Sequence, residues 1–442
     1  MLLSFSATNF RSIRETQTLS MVGTKLAGPH APINVSVPGA DNGVLPCALI
    51  YGANASGKSN LLSAFVAMRN LVFDSHRNAS RSAKISRTPF LLDDEWEITP
   101  TTFEISFLQN GIRYDFGFTY TDEEFLEEWL YSYPEGRRRK LYERSKDHVS
   151  FGPGMKGPKK LLLDFLKPNA LFISIATQNN HHDLSQVPIF FGNVFATNNI
   201  SVAKSLINAT FREDQIDNRT IKFLEMIGTG VCKHKKTAVE VPENIKSIMK
   251  DVFQLVKKHG QFDPDTEIPQ PDEKEYQIEL AHKNSSGGET FFGTELESSG
   301  TRRLLVIMNN VFKALDDGDL AIIDELDASL HTFAVEAIIS LFTNSEINRK
   351  GAQLIATTHN TNLLNPEILR RDEIWFVEKS YLGSSEYFSL AEIKTRKNES
   401  FENIYLQGRY GAVPPSIDPF SLEFGKSEKR EENALPDNAG GE

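Results

Sequence analysis

The sequence predicts an α/β fold: a parallel-sheet core, an antiparallel β lobe and a helical insert. Three observations carry this. An apolar run, Cys47 to Tyr51, leads into Gly52-Ala53-Asn54-Ala55-Ser56-Gly57-Lys58-Ser59-Asn60, and Leu61, Leu62, Phe65 and Met68 follow at helical spacing. That is strand, glycine-bearing loop, helix. The last third alternates short apolar runs with helical periodicity, the order that builds a parallel sheet. Between about residues 100 and 150 the apolar period falls to two around Asn110-Gly111, a hairpin signal.

Composition sets the bounds. With 442 residues the chain can bury a large core in two or three lobes. No apolar run approaches the roughly 20 residues of a membrane span. The N-terminal stretch shows no cleavable leader pattern, so a cytoplasmic location is expected. Cys47 and Cys232 are the only cysteines, which argues against a disulfide framework or a cysteine zinc site. The net charge of −11 gives no mean field steering the chain towards nucleic acid.

Taken in order, residues 2–8 alternate as a strand. Asn9-Phe10-Arg11-Ser12-Ile13 turns into a second strand near 15–22, and a Gly- and Pro-rich loop covers 23–44. The glycine-loop strand and its helix extend to about Phe73, and a polar, basic connection follows over 75–90. Strands are expected at Thr102–Leu108, Ile112–Tyr120, Phe125–Tyr133 and Lys140–Phe151. The densest basic run, Gly136 to Lys140, reads as a solvated turn between two of them. Residues 158–166 turn helical, and Ala170–Ala176 reads as a short strand ending at Thr177-Gln178-Asn179. Residues 185–260 read mostly as helices, with Ile245–Lys257 amphipathic and no heptad repeat. After a Pro- and Asp-rich linker at 261–274, Tyr276–His282 and Glu289–Thr294 form a hairpin. Then come a helix (Glu297–Ala314), a strand (Leu320–Ile323), a helix (Leu330–Phe342) and strands at Gln353–Thr357 and Glu373–Val377. Tyr405, Tyr410 and Phe420 are expected to pack back on the body. The resulting domains are an N-lobe at 1–180, a helical insert at 181–270, a C-lobe at 271–425 and a disordered tail at 426–442.

The chemistry starts at G-x-x-x-x-G-K-[ST], met by Gly52, Gly57, Lys58 and Ser59. The loop N–H groups and the helix N-terminus suit a polyphosphate. Lys58 would reach the β- and γ-phosphates and Ser59 would hold Mg²⁺. Asp319 to Glu325 reads DLAIIDE, an apolar strand ending in two carboxylates. Asp324 suits Mg²⁺, and Glu325 suits a general base acting on water. Ser298 and Gly300, in ESSGTRR, open a helix and form a second anion site, a reading compatible with plain N-capping. His359, in TTHN, ends a strand and suits a γ-phosphate contact. Gln178, at its expected strand end, is a candidate Mg²⁺ or water ligand, with Asn179 and Gln186 as alternatives. Arg11 is a candidate phosphate contact.

These motifs, in this order, resemble those of ABC ATPases, so the fold implied is an ABC-ATPase head of the P-loop NTPase class. ESSGTRR looks like the signature, LDASLH (326–331) like the D-loop, and Gln178 stands as the Q-loop candidate. Asn9-Phe10-Arg11-Ser12 resembles the opening of the SMC, RecF and OLD group. DELDASLH, TTHN and YLQGRYGAVP resemble the OLD-related, RloA-type stand-alone ATPases of bacterial phage defence and abortive infection. The resemblance implies ATP and Mg²⁺ as ligands and a homo-oligomer whose ATP sites are shared, Ser298 and Gly300 serving the partner's nucleotide. About 80 residues follow His359, fewer than a Toprim nuclease needs. The expected effector is therefore a separately encoded protein such as a Toprim-type nuclease. A RecF- or SMC-like ATPase that clamps DNA is the alternative, and a non-hydrolysing scaffold, disfavoured by Glu325, is the third.

Overall fold

The computed structural model describes residues 1–413 apart from 36–37, 79–83, 154, 158, 198–206, 208–210, 212–214, 242, 244–245, 249–250, 252–273 and 396–398. Its centre is a six-stranded sheet ordered β16-β15-β3-β14-β13-β9, formed by β3 (Cys47–Gly52), β9 (Val194–Thr197), β13 (Leu320–Ile323), β14 (Gln353–Thr357), β15 (Ile374–Lys379) and β16 (Ser385–Ser389). All its pairings are parallel except that of β16. The strands are short apolar runs because both faces are covered. Along β3 the pleat sends Ala48 and Ile50 into one core and Cys47, Leu49 and Tyr51 into the other.

The first core lies between this sheet and a seven-stranded antiparallel sheet ordered β2-β1-β4-β5-β6-β7-β8. Its strands are β1 (Leu2–Thr8), β2 (Gln17–Ser20), β4 (Thr101–Gln109), β5 (Ile112–Tyr120), β6 (Phe125–Tyr133), β7 (Arg139–Ser145) and β8 (His148–Phe151). Helix α1 (Lys58–Asn78) fills the space between, burying Leu61, Leu62, Phe65 and Met68. Asn110 and Gly111 both have positive φ, 52° and 75°, as the two-residue β4–β5 turn requires. The segment expected as one strand, Lys140–Phe151, is itself a hairpin, β7 and β8. The second core holds α7 (Ser299–Asp317), α8 (Thr332–Thr343) and α9 (Phe401–Leu406), with Tyr405 and Tyr410 buried on β15. No helix among the described residues is long and apolar enough to cross a membrane.

Two further expectations fail. Ala170–Ala176 is not a strand. Phe172–Gln178 is a helix, α4, after the short α2 (Asp94–Ile98) and α3 (Lys159–Asp164). Its first N–H groups, of Phe172 and Ile173, donate to the buried Glu128 carboxylate at 2.7 and 2.9 Å, a cap supplied by β6. Among its described residues, the span 181–270, expected as a helical insert, is not purely helical. It has helices α5 (Gln186–Gly192) and α6 (Asn218–Met226), but β9 joins the central sheet as an edge. In addition, β10 (Val231–Glu240) pairs with β11 (Lys274–Lys283), which pairs with β12 (Glu289–Gly293) in a separate sheet. The segments 245–257 and 261–274 fall largely, and Phe420 and 426–442 wholly, outside the described residues.

Candidate active site

Because β3, β14, β13 and β9 are parallel, their C-terminal ends meet at one edge of the sheet, the usual ligand edge of such sheets. Gly52, Thr357, Asp324 and Thr197 gather there. The loop 53–57 crosses this edge into α1, with Asn54 and Ala55 exposed. Gly57 has φ 107°, and a Cβ on it would lie 2.7 Å from Ser12 Oγ and closer still to Ser385 Oγ. No side chain fits there.

Lys58 is 7% exposed. Its Nζ donates to the carbonyls of Gly52 at 2.8 Å and Ala53 at 2.9 Å. Burial lowers its pKa, and the carboxylates of Asp324, Glu325 and Asp327 oppose that shift. Ser59 Oγ donates to Asp324 Oδ1 at 2.8 Å, joining the two motifs across 265 positions. Strand β14 runs between β3 and β13, and its last residue, Thr357, fills the gap. Thr357 Oγ1 donates to the same Oδ1 at 2.6 Å and accepts the Glu325 N–H at 2.6 Å. Glu325 is half-buried and left-handed, φ 52°. The donor set at Ser59 and Asp324, a hydroxyl beside a carboxylate, consists of hard oxygens and fits Mg²⁺ shared with phosphate oxygens.

Of the remaining motifs, the His359 turn adjoins this edge, and α7, which Ser298 caps, is tied to it through Gly300 and Arg303. Asp327 accepts the His359 N–H at 3.1 and 3.2 Å, and the His359 ring is exposed. Ser298 caps α7 by accepting the Thr301 N–H at 3.0 Å and is exposed. Gly300 is buried, and a Cβ there would sit 2.7 Å from Ser329 O. Arg303, also on α7, donates to the carbonyls of Asp324 and Glu325. Ser12 ties the opening turn to the loop: Asn60 Nδ2 donates to Ser12 Oγ at 2.6 Å, and Ser12 Oγ and Ser385 Oγ are 2.6 Å apart. Tyr387 OH donates to Gly57 O at 2.6 Å. Arg11 lies along α1, its Nη1 donating to Ser63 Oγ at 3.1 Å.

Gln178 is not in this site. It is exposed at the end of α4, beside His76 in the last turn of α1. At 1.5 Å per residue, His76 lies about 27 Å from Lys58 along the helix. The alternatives are elsewhere too. Asn179 Nδ2 donates to Ile175 O, and Gln186 Oε1 faces Asn110. The strand end that does adjoin β13 is that of β9, where Thr197 O accepts the Asp324 N–H at 3.1 Å. Thr357 and Arg303 stood in the quoted motifs, TTHN and ESSGTRR, without an assigned role. Ser385 and Tyr387 carried no sequence signal.

A glycine loop that leaves the central strand and delivers its lysine at the start of α1, and a carboxylate tip one strand removed, define an ABC-type P-loop ATPase head. The chain belongs to the family described as AAA domain, putative AbiEii toxin, Type IV TA system, whose pattern matches residues 47–365. No curated protein matches it. Similar solved structures include the SMC head bound to the C-winged helix domain of ScpA, at 14% identity over 88% of this chain and 97% of that one, TM-score 0.39. The SMC head domain from Thermotoga maritima is similar at 14% identity over 89% and 99%, TM-score 0.37. So is the Smc head with an extended coiled coil bound to the C-terminal domain of ScpA, derived from Pyrococcus furiosus, at 14% identity over 92% and 98%, TM-score 0.37.

Proposed function

We propose that the chain hydrolyses ATP at a site completed between two copies of itself, and that this cycle holds or releases a separately encoded effector in antiphage defence. The carrying observation is the 2.8 Å bond from Ser59 Oγ to Asp324 Oδ1. It supports one catalytic edge built from both halves of the chain. The loop N–H groups, Lys58 and Asn60 bind the phosphates. Mg²⁺, held by Ser59 and Asp324, would neutralise charge on the phosphate oxygens. Glu325 takes a proton from the attacking water, and His359 hydrogen-bonds the γ-phosphate. The exposed Ser298 cap and the N–H groups of α7 contact the other chain's nucleotide, so binding favours the assembled state. The family description, a putative toxin of a type IV system, supports a setting in which an activity is held and released. The resemblance of residues 1 to about 420 to OLD-related ATPases supports an effector of Toprim type.

A second reading, a DNA clamp, draws on one feature. Arg137, in the β6–β7 turn, and Arg139, at the start of β7, are exposed and have no ionic partner among the described residues. The test is light scattering of Glu325→Gln with and without ATP·Mg²⁺, then with duplex DNA, alongside phosphate release by the unsubstituted chain and by Lys58→Ala. ATP-driven assembly without DNA, and turnover lost in Lys58→Ala, support the first reading. DNA joining the ATP-bound assembly, with a steep salt dependence, favours the second. Turnover that survives Lys58→Ala defeats the site assignment in both.

A further inference from the structure

A cavity of about 320 Å³ lies between the seven-stranded sheet and the segment that leads into α5. None of the residues gathered at the catalytic edge lines it. Strand pairing builds its floor. Tyr114 on β5 stands opposite Ser132 on β6, and Ser132 stands opposite Arg139 on β7. Residues paired in this way share one face of a sheet. On β4 the row begins with Phe107, which stacks on Tyr114 at 5.5 Å and on Phe190 of α5 at 4.5 Å. Past Tyr114 the face changes character: the next two positions carry a hydroxyl and a guanidinium.

The basic run at 136–140 divides accordingly. Arg138 stacks over Tyr131, and Lys140 pairs with Glu143 at 3.0 Å. Arg139 lines the cavity instead. Lys156 lines it from the facing segment, and both are exposed with no ionic partner among the described residues. Two hydroxyls within are unsatisfied. Ser132 is 6% and Tyr114 8% exposed, and neither side-chain hydroxyl has a hydrogen-bond partner among the described residues. Burial, with the charge of Asp183, raises the Tyr114 pKa, so this hydroxyl stays a proton donor. A buried polar group without a partner is costly, and a ligand that supplies the partner removes the cost. Asp183, also lining the cavity, is fixed by the Lys156 N–H at 2.9 Å.

We propose that this cavity is a binding site for a nucleoside monophosphate. Arg139 and Lys156 hold the phosphate, for which the planar guanidinium fork is well shaped. Ser132 and Tyr114 donate to phosphate or sugar oxygens. Asp183 accepts from the sugar or the base, and Ile112 and Leu141 cover the apolar face of the base. Ligand cavities span about 300–1,000 Å³, so this one suits a small ligand. It is closed to a duplex. The site is separate from the ATP site and stands whether or not the shared-site reading holds.

The test is calorimetric titration of AMP, GMP, CMP and UMP, with inorganic phosphate alongside, into the full-length Lys58→Ala chain. Binding that persists at the glycine loop is untouched by the further substitutions. Arg139→Ala with Lys156→Ala removes both charges from exposed positions, where folding is not at stake. Ser132→Ala removes one buried donor. The expected result is that at least one nucleotide binds and raises the melting temperature. Its affinity falls at least about tenfold in the double variant and about 2- to 10-fold in Ser132→Ala. No binding at millimolar nucleotide overturns the proposal, as does an affinity that both variants leave unchanged. Inorganic phosphate binding as tightly as every nucleotide also overturns it, leaving an anion site with no nucleoside part. Duplex DNA that needs Arg139 and Lys156, with no mononucleotide bound, overturns it and assigns these residues to the clamp reading.

Discussion

Thr357 Oγ1 donates to Asp324 Oδ1 at 2.6 Å, and the same oxygen accepts the Glu325 N–H at 2.6 Å. Strand order explains the relationship. β14 separates β3, which leads into the lysine loop, from the carboxylate strand β13, and register sets Thr357 beside Ile50 while Ala356 pairs with Ile323. The hydroxyl is therefore one residue past the pairing, level with Asp324. It orients the metal-binding carboxylate and the backbone of the general base together.

Thr357→Val keeps the shape and removes both bonds. The buried Glu325 N–H loses its partner, which costs about 1–3 kcal/mol of stability. The expected outcome is kcat lower by about tenfold or more, with ATP affinity changed much less, since Lys58 and the loop are untouched. Phosphate release and urea unfolding check the two parts. Thr357→Ser should recover most of both. A kcat equal to wild type would mean that Glu325 is held without this hydroxyl.

Glu128 is a stability determinant far from that edge. It is 1% exposed and accepts from Tyr142 OH at 2.7 Å and from the N–H groups of Phe172 and Ile173. Arg144, 2% exposed, lies 3.6 Å away. Burial raises the Glu128 pKa, and Arg144 and these hydrogen bonds hold it back. Removing one member of a buried pair leaves the other uncompensated, at about 3–5 kcal/mol. Glu128→Ala should cost that much in urea unfolding while kcat per folded molecule stays unchanged. A loss below about 1 kcal/mol would mean that water reaches Arg144.

The same carboxylate explains what was legible in the sequence. Gly52 to Ser59 could be read because a loop of fixed spacing lies between a strand and a helix that are both local in sequence. Asp324 and Glu325 could be read because a fully buried strand is a continuous apolar run. ALFISIA, at 170–176, offered no local choice between strand and helix. The choice was made by Glu128, 44 positions before Phe172, whose carboxylate caps the helix. β9 has four residues and no alternation, so its place at the sheet edge was invisible. Thr357 was visible in TTHN, but its role depends on a strand order that periodicity does not encode.

Gln178 gives a direct check of that correction. It sits by His76, at the far end of α1 from Lys58. Gln178→Ala should therefore leave ATP affinity, kcat and Mg²⁺ dependence at wild-type values, in contrast to Ser59→Ala. A tenfold loss of kcat in Gln178→Ala, or a weakened response to Mg²⁺, would put this residue back at the catalytic edge.

The other end of the carboxylate strand predicts a pH effect. Asp319 precedes β13, and burial, helped by the charge of Asp317, pushes its carboxyl up from 3.8 to about 6. The folded chain thus holds this proton more tightly than the unfolded chain. Between pH 3.8 and about 6 the unfolded state releases it first, so this residue's contribution to stability falls as pH rises and stays low above the folded pKa. Asp319→Asn removes the titration and keeps the shape. The variant should melt at nearly the wild-type temperature near pH 4 and at a higher one near pH 7.5. Because the group is partly exposed, solvent screening keeps the gap to about 1–2 °C. Melting curves of both proteins across this range, compared as differences, separate this carboxyl from every group but the Met1 ammonium, whose pKa burial lowers to about 6 and the Asp319 charge holds up. A difference that does not change with pH would mean that Asp319 titrates as an ordinary surface aspartate.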